Sequence, residues 1–222
     1  MKRHAPPTAA AFVATAAMLM SACGGGDGET ASSNSDKGSV AEPVGEASAS
    51  HTASTADSAG SADRPKIELP SDLTYTFEWP KTGDAGKDAV LSDSEQSIKA
   101  VDLAIVNQNA LDKAYLYYYE GEAAAGTETF IQAYVDAKAR VTGSYRFYDA
   151  VANVNGSSNA SLVYCEDQSK GYDMYLSPEK VNKTAVTKNS YVRYSTQLRR
   201  NNKGVWAVEK IASQRGSARC QP

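Results

Sequence analysis

Hydrophobic and polar positions fall into three regimes along this chain. Ala9 to Met20 is an apolar run broken only by Thr15. From Gly24 to about Pro65 large apolar residues almost vanish. Beyond residue 66 they return with a regular period, and all thirteen Tyr, both Trp and every Phe but Phe12 lie there. That stretch holds the core. Leu73, Tyr75, Phe77 and Trp79 alternate with polar neighbours, which predicts a strand with one buried face. Pro80 and Thr82-Gly83-Asp84 end it. Ser92-Asp93-Ser94-Glu95 has the form of a capping box opening a helix, and Ile98, Val101, Ile105 and Val106 follow at helical spacing. Asn109 is placed to cap a second, short helix through Leu111, Tyr115 and Tyr118. A third is expected from about Thr127, with Phe130, Tyr134, Ala137 and Val141 as its buried stripe and Gly143 as its end.

After Gly143 the period changes from 3.6 to 2. Tyr145, Phe147, Asp149 and Val151 alternate with Arg146, Tyr148, Ala150 and Ala152. Asn155-Gly156 is a strong hairpin signal, and Ala160, Leu162 and Tyr164 continue on one face with Cys165 on the other. Gln168 to Lys188 is less regular and allows a short strand at Tyr172 to Leu176, with a loop around Pro178. Ser190 to Arg200 predicts a long strand, Asn201-Asn202-Lys203-Gly204 a turn, and Val205 to Ser213 the returning strand. Helices followed by a run of strands imply an α+β fold. The expected architecture is an N-terminal strand and about three helices packed on a curved antiparallel sheet of four to five strands. This order resembles the NTF2-like (cystatin-like α+β roll) fold. The domain, with its Trp-bearing last strand and C-terminal Cys, is also similar to uncharacterised lipoproteins of high-GC actinobacteria. A doubly wound or sandwich fold is the alternative.

The N-terminus changes the picture from a fold to an address. Lys2, Arg3 and His4, the apolar run, and small Ser21 and Ala22 before Cys23 form a signal peptide over residues 1–22. The run is shorter than the roughly 20 apolar residues a membrane helix needs. Leu19-Met20-Ser21-Ala22-Cys23 resembles the bacterial lipobox. The resemblance implies cleavage before Cys23 and a diacylglyceryl thioether there, with long acyl chains such as palmitate. Two chains anchor stably where one is marginal. The alternative is an ordinary secretory signal that leaves a free Cys. Residues 23–65 then form a tether rich in Ser, Ala and Gly, too poor in apolar side chains to offset its ordering entropy. As a flexible coil it reaches on the order of 35 Å. The expected location is the extracytoplasmic face of the cell membrane, with residues 66–222 as the folded domain.

Cysteine count fits this layout. The chain has three, Cys23, Cys165 and Cys220. If Cys23 carries lipid, Cys165 and Cys220 are left to pair in an oxidising compartment. Two free buried thiols are the alternative.

Both histidines, His4 and His51, precede the domain. The domain thus has no imidazole for Ser-His-Asp or Cys-His catalysis, for His-ligated zinc or for a pH switch. Enzymes of the NTF2-like fold commonly use an Asp–His pair, which is missing here. No catalytic residue, metal ligand or cofactor is expected, and the enzyme question leans to no. Among carboxylates, Asp102 is expected on a solvated helix face, and Glu120 and Glu122 in a helix-ending turn. Tyr115, Tyr118, Tyr119, Tyr134 and Trp206 are the candidate lining of a ligand pocket, since pockets are mostly apolar with a few polar groups; ordinary core packing is the competing account.

Charge is uneven. Residues 66–137 carry five Lys against thirteen Asp and Glu, and 138–222 fourteen Lys and Arg against six acids. Arg193, Arg199, Arg200 and Lys203 concentrate near the last hairpin, where an anionic polymer or headgroup could dock. The expected function is a membrane-anchored, non-catalytic module of the cell envelope that binds a partner protein, an anionic polymer or a small ligand, and not nucleic acid. The competing expectation is a small-molecule enzyme using carboxylate and Tyr groups in the roll.

Overall fold

The computed structural model describes residues 64–222. The signal-peptide, Cys23 and tether assignments lie outside the described residues, save for Arg64 and Pro65. Strand β1 (Leu73–Phe77) is followed by helices α1 (Ala85–Val106), α2 (Lys113–Tyr118) and α3 (Gly121–Asp136). Strands β2 (Ala139–Asn155), β3 (Asn159–Leu176), β4 (Glu179–Asn182), β5 (Tyr191–Arg200) and β6 (Trp206–Arg215) complete the domain. The fold is α+β, three helices against a curved, open sheet, as the order of periods implied.

The sheet runs β1-β2-β3-β5-β6, with β4 paired to the far end of β3. It is mixed: β1 joins β2 in parallel, Leu73 opposite Gly143 and Phe77 opposite Phe147. All other pairs are antiparallel. The expected loop around Pro178 is the turn before β4, and the short strand expected at Tyr172 to Leu176 is the end of one 18-residue strand, Asn159–Leu176. Its partner β2 carries two register shifts, at Ser144/Arg146 and Tyr148/Val151. Such bulges bend a strand. Gly143 and Gly171 face each other in this register. A Cβ on Gly171 would lie 2.4 Å from the Tyr145 ring, so only glycine lets that ring cross β3.

Three helix boundaries differ from expectation. Helix α1 starts two turns earlier than the Ser92 box. Asp84 is its cap, accepting from the backbone N–H of Gly86 and Lys87 at 2.9 and 3.0 Å. Ser92 to Glu95 lies mid-helix, with Asp93 and Ser94 buried. Asp112, not Asn109, caps α2. Helix α3 starts at Gly121 rather than Thr127 and stops at Asp136, so Glu120 and Glu122 stand at a helix start. Val141 and Gly143 belong to β2.

The Cys165–Cys220 disulfide forms, with the Cα atoms 5.5 Å apart. It fixes the short 3-10 turn Ala218–Cys220 against β3. At the other edge, Asp72 clasps β1 to β2. Its carboxylate accepts from Arg140 Nη1 and Nη2 at 3.1 and 2.9 Å and from Thr142 Oγ1 at 2.8 Å. The hydrogen-bonded Arg140 guanidinium holds the Asp72 carboxyl below its ordinary range. A depressed carboxyl stabilises the fold above its unfolded pKa near 4, and the gain is lost as pH falls through the folded value. Asp72 is 44% exposed. Asp72→Asn is therefore expected to cost only about 0.5–1 kcal/mol at pH 7, with the difference closing as the pH falls through the lowered pKa of folded Asp72; thermal unfolding across acid to neutral pH checks both.

Candidate ligand cavity

The concave face of the sheet is set by alternation. On β3, Leu162, Tyr164 and Glu166 share one face because side chains repeat every second residue. Tyr194 of β5 stands opposite Tyr164 in register, and the rings stack with centroids 5.1 Å apart. Phe147 of β2 pairs with Glu166 in register. Helices α1 and α3 cover this face incompletely and leave a cavity of about 260 Å³. Helix α1 contributes Ile98 and Val101, and α3 contributes Gly126, Thr127 and Phe130. The sheet contributes Phe147, Tyr164, Glu166, Tyr194, Ile211, Ser213 and Arg215, and Tyr119 closes the wall between α2 and α3. Taking about 30 Å³ per water, the space matches roughly nine waters, the small end of ligand pockets.

Glu166 is the polar centre of this wall and is 0% exposed. A buried carboxylate needs hydrogen-bonded partners. Gln168 Nε2 donates to Glu166 Oε2 at 2.8 Å, and Arg215 Nη1 donates to Gln168 Oε1 at 2.9 Å and to the Asn189 carbonyl at 2.7 Å. The negative charge of Glu166 and the positive charge of Arg215 are thus joined through one amide. The site is balanced in charge and lined mainly by rings.

The residues expected to line a pocket separate. Only Tyr119 does so. Tyr115 and Tyr118 are fully buried in the core, and burial pushes both phenols upward in pKa. Tyr134 is buried and donates to Asp173 Oδ1 at 3.0 Å. Trp206 is buried, and its backbone N–H donates to Asp93 Oδ2 at 2.9 Å; the other oxygen of Asp93 takes the Arg64 guanidinium at 2.6 Å. Lys203 lies over the Tyr117 ring, 4.5 Å from its centroid.

Asp102 is not on a solvated face. It is 0% exposed and accepts from the Tyr75 hydroxyl at 2.6 Å. The basic cluster also divides. Arg199 pairs with Glu209, and Arg200 Nε donates to the Gly204 carbonyl at 3.3 Å. Arg193 sits at the other end of β5, opposite Cys165. Sequence reasoning missed Glu166, although a signal existed: it is the one charge continuing the Ala160, Leu162, Tyr164 face. Among the described residues no group of three or more His, Cys, Asp or Glu is placed to hold a metal ion. Tyr75→Phe removes a donor from buried Asp102 and is expected to cost about 1–3 kcal/mol in urea unfolding; a cost near zero would show the Asp102 carboxylate fully served without it.

No family model matches the chain, and no curated protein matches it. Several solved structures are similar. A ketosteroid isomerase-like protein from Erwinia carotovora atroseptica is 10% identical with a TM-score of 0.42, over 60% of this chain and 98% of that one. A domain of unknown function with a cystatin-like fold from Nostoc punctiforme is 11% identical with a TM-score of 0.38, over 60% of this chain and 78% of that one. The association domain of C. elegans CaMKII is 12% identical with a TM-score of 0.35, over 59% of this chain and 99% of that one. These likenesses concern the arrangement of elements and carry nothing about activity or ligand.

Proposed function

We propose that this chain is a lipoprotein of the cell envelope, acylated at Cys23, whose folded domain binds a small, mostly apolar ligand without transforming it. The cavity carries the binding half of this reading. Its walls are aromatic and aliphatic, its two opposite charges are tied together, and its size suits a neutral molecule of a few rings at most. The lipobox-like Leu19 to Cys23 segment and the apolar-poor stretch behind it support the anchor. A tether reaching on the order of 35 Å lets the domain sample solute near the membrane while remaining attached.

One observation favours a second reading. Glu166 places a carboxylate beside Tyr119, Tyr164 and Tyr194 in the cavity, the groups that general acid–base work needs in a site without imidazole. Glu166→Gln separates the two. A binding module keeps its ligand with an affinity changed only modestly, whereas an enzyme loses turnover by 10²-fold or more.

Gly126 tests the cavity directly. It sits at the mouth on α3, and a Cβ there meets nothing within 4 Å. Gly126→Leu is expected to stabilise α3 by about 0.5–1 kcal/mol through helix propensity while filling the entrance. Indole and 1-naphthol serve as probes in a thermal-shift titration, since a ligand that binds only the folded state raises the melting temperature. The wild-type protein should respond and the Gly126→Leu variant should not; equal responses would remove the cavity from the proposal. The anchor has its own measurement. Intact mass of the membrane-extracted protein should correspond to a chain beginning at Cys23 plus a diacylglyceryl group, and Cys23→Ser should abolish that mass. An unmodified residue 23 would end the lipoprotein reading.

A further inference from the structure

The opposite face of the sheet carries a second concavity, built from other chemistry. Alternation along β3 sends Val163 and Cys165 away from the cavity. In register, Val151 of β2 lies opposite Val163 and Arg193 of β5 lies opposite Cys165. The β2 bulge between Tyr148 and Val151 includes Asp149 at a left-handed φ of 52°, which opens space beside the end of β1. The Cys165–Cys220 bond draws the C-terminal turn across this face and brings in Arg219. The resulting groove has a volume of about 850 Å³, with Trp79, Pro80, Val151, Val163, Arg193 and Arg219 in its wall and Glu78 and Asp149 beside them.

Its charges do not cancel. Glu78 is taken by Arg146, at 2.9 Å. Neither the Arg193 nor the Arg219 side chain makes a hydrogen bond or ion pair among the described residues. Arg193 is half-buried, and its Nε is shut from solvent with no acceptor, as is the indole Nε1 of Trp79. These two atoms, having no accessible surface, cannot meet a ligand in the groove, and Arg193 reaches it through its terminal nitrogens. With Glu78 neutralised, the two guanidinium groups against Asp149 leave one uncompensated positive charge. A planar guanidinium fork matches a carboxylate in shape as well as charge. The remaining wall is apolar. A polyanion would bring further negative charge against Asp149 and Glu78, whereas a single carboxylate meets the one positive charge left over.

We infer that this groove is a second ligand site, specific for an amphiphilic monocarboxylate whose head is held by Arg193 and Arg219 and whose apolar body lies along Pro80, Val151 and Val163. The site shares no lining residue with the inner cavity. The disulfide is part of it, because it holds the turn that carries Arg219.

Octanoate is the probe, titrated into the mature chain by calorimetry, with octan-1-ol and inorganic phosphate as comparisons. Octanoate should bind saturably with a Kd below about 1 mM, while phosphate alone should not; in Gly126→Leu, whose inner cavity is filled at the entrance, octan-1-ol should not bind either. Arg193→Gln and Arg219→Gln should each weaken octanoate about tenfold or more, the loss expected for a charge-assisted contact. Arg219 lies on an exposed turn, so its variant tests the site without disturbing the sheet. Arg193→Lys keeps the charge but not the fork and should weaken binding as well. Gly126→Leu should leave the octanoate isotherm unchanged. No saturation, equal binding by both arginine-to-glutamine variants, or loss of binding in Gly126→Leu would each overturn the site, the last by assigning the anion to the inner cavity.

Discussion

Strand β3 is hydrogen-bonded on both edges, to β2 along one side and to β5 and then β4 along the other. That pairing fixes which of its side chains point where, since a slip of one residue would exchange its two faces. Leu162, Tyr164 and Glu166 are thereby committed to the helices, and Val163 and Cys165 to the outside. The cavity, the disulfide and the outer groove all follow from this one register. Cys165 reaches Cys220 only because it faces away from the core, and Glu166 reaches Gln168 and Arg215 only because it faces in.

Four carboxylates are buried in the domain: Asp93, Asp102, Glu166 and Asp173. Each has a donor from another element or along its own strand. Asp93 ties α1 to Trp206 at the start of β6 and to Arg64. Asp102 ties α1 to β1 through Tyr75. Asp173 ties β3 to α3 through Tyr134. Glu166 connects to β6 through Gln168 and Arg215. Removing one partner from such a pair is more costly than the pair itself is stabilising. These contacts therefore act chiefly to select one docking of the helices on the sheet. Of the four, Glu166 lines the inner cavity, which is why it bears on ligand chemistry.

Much of this architecture was legible in the sequence, because period-2 alternation and turn residues are local signals. Leu73 to Phe77, the Asn155-Gly156 hairpin and the Asn201 to Gly204 turn fall where the pattern places them. The helix starts were harder. Thr82-Gly83-Asp84 reads as a turn, and it is one, but Asp84 simultaneously caps α1, and local sequence does not separate the two uses. Ser92-Asp93-Ser94-Glu95 has every feature of a cap except its position. Its Asp is consumed by a tertiary contact with Trp206, 113 residues away, a distance at which local rules are silent. Val141 continues a helical stripe by spacing yet belongs to β2, since the helix has already ended at Asp136. The Tyr cluster shows a related limit: Tyr115, Tyr118 and Tyr134 pack in the core and Tyr119 lines the inner cavity. Clustered Tyr residues signal burial, and only the tertiary fold decides which of them meets empty space.

The two concavities stand back to back across a single layer of sheet, with Cys165 and Glu166 adjacent in sequence and opposite in direction. Trp79 of the groove also meets Tyr164 of the cavity, with ring centroids 5.7 Å apart, so one site affects the other either through that contact or through a shift or twist of β3. Its ladders with β2 and β5 oppose that, because moving it breaks hydrogen bonds on both edges together. The borders differ: the β2 bulge and the disulfide-held C-terminal turn line the outer groove, and α3 lines the cavity. Each site can thus adjust through its own border without moving the strand they share. Coupling between ligands requires an element with two arrangements that both sites bias, and β3 is the element least able to supply one. The sheet is therefore a partition between the two concavities, bridged at its edge by the Trp79–Tyr164 contact.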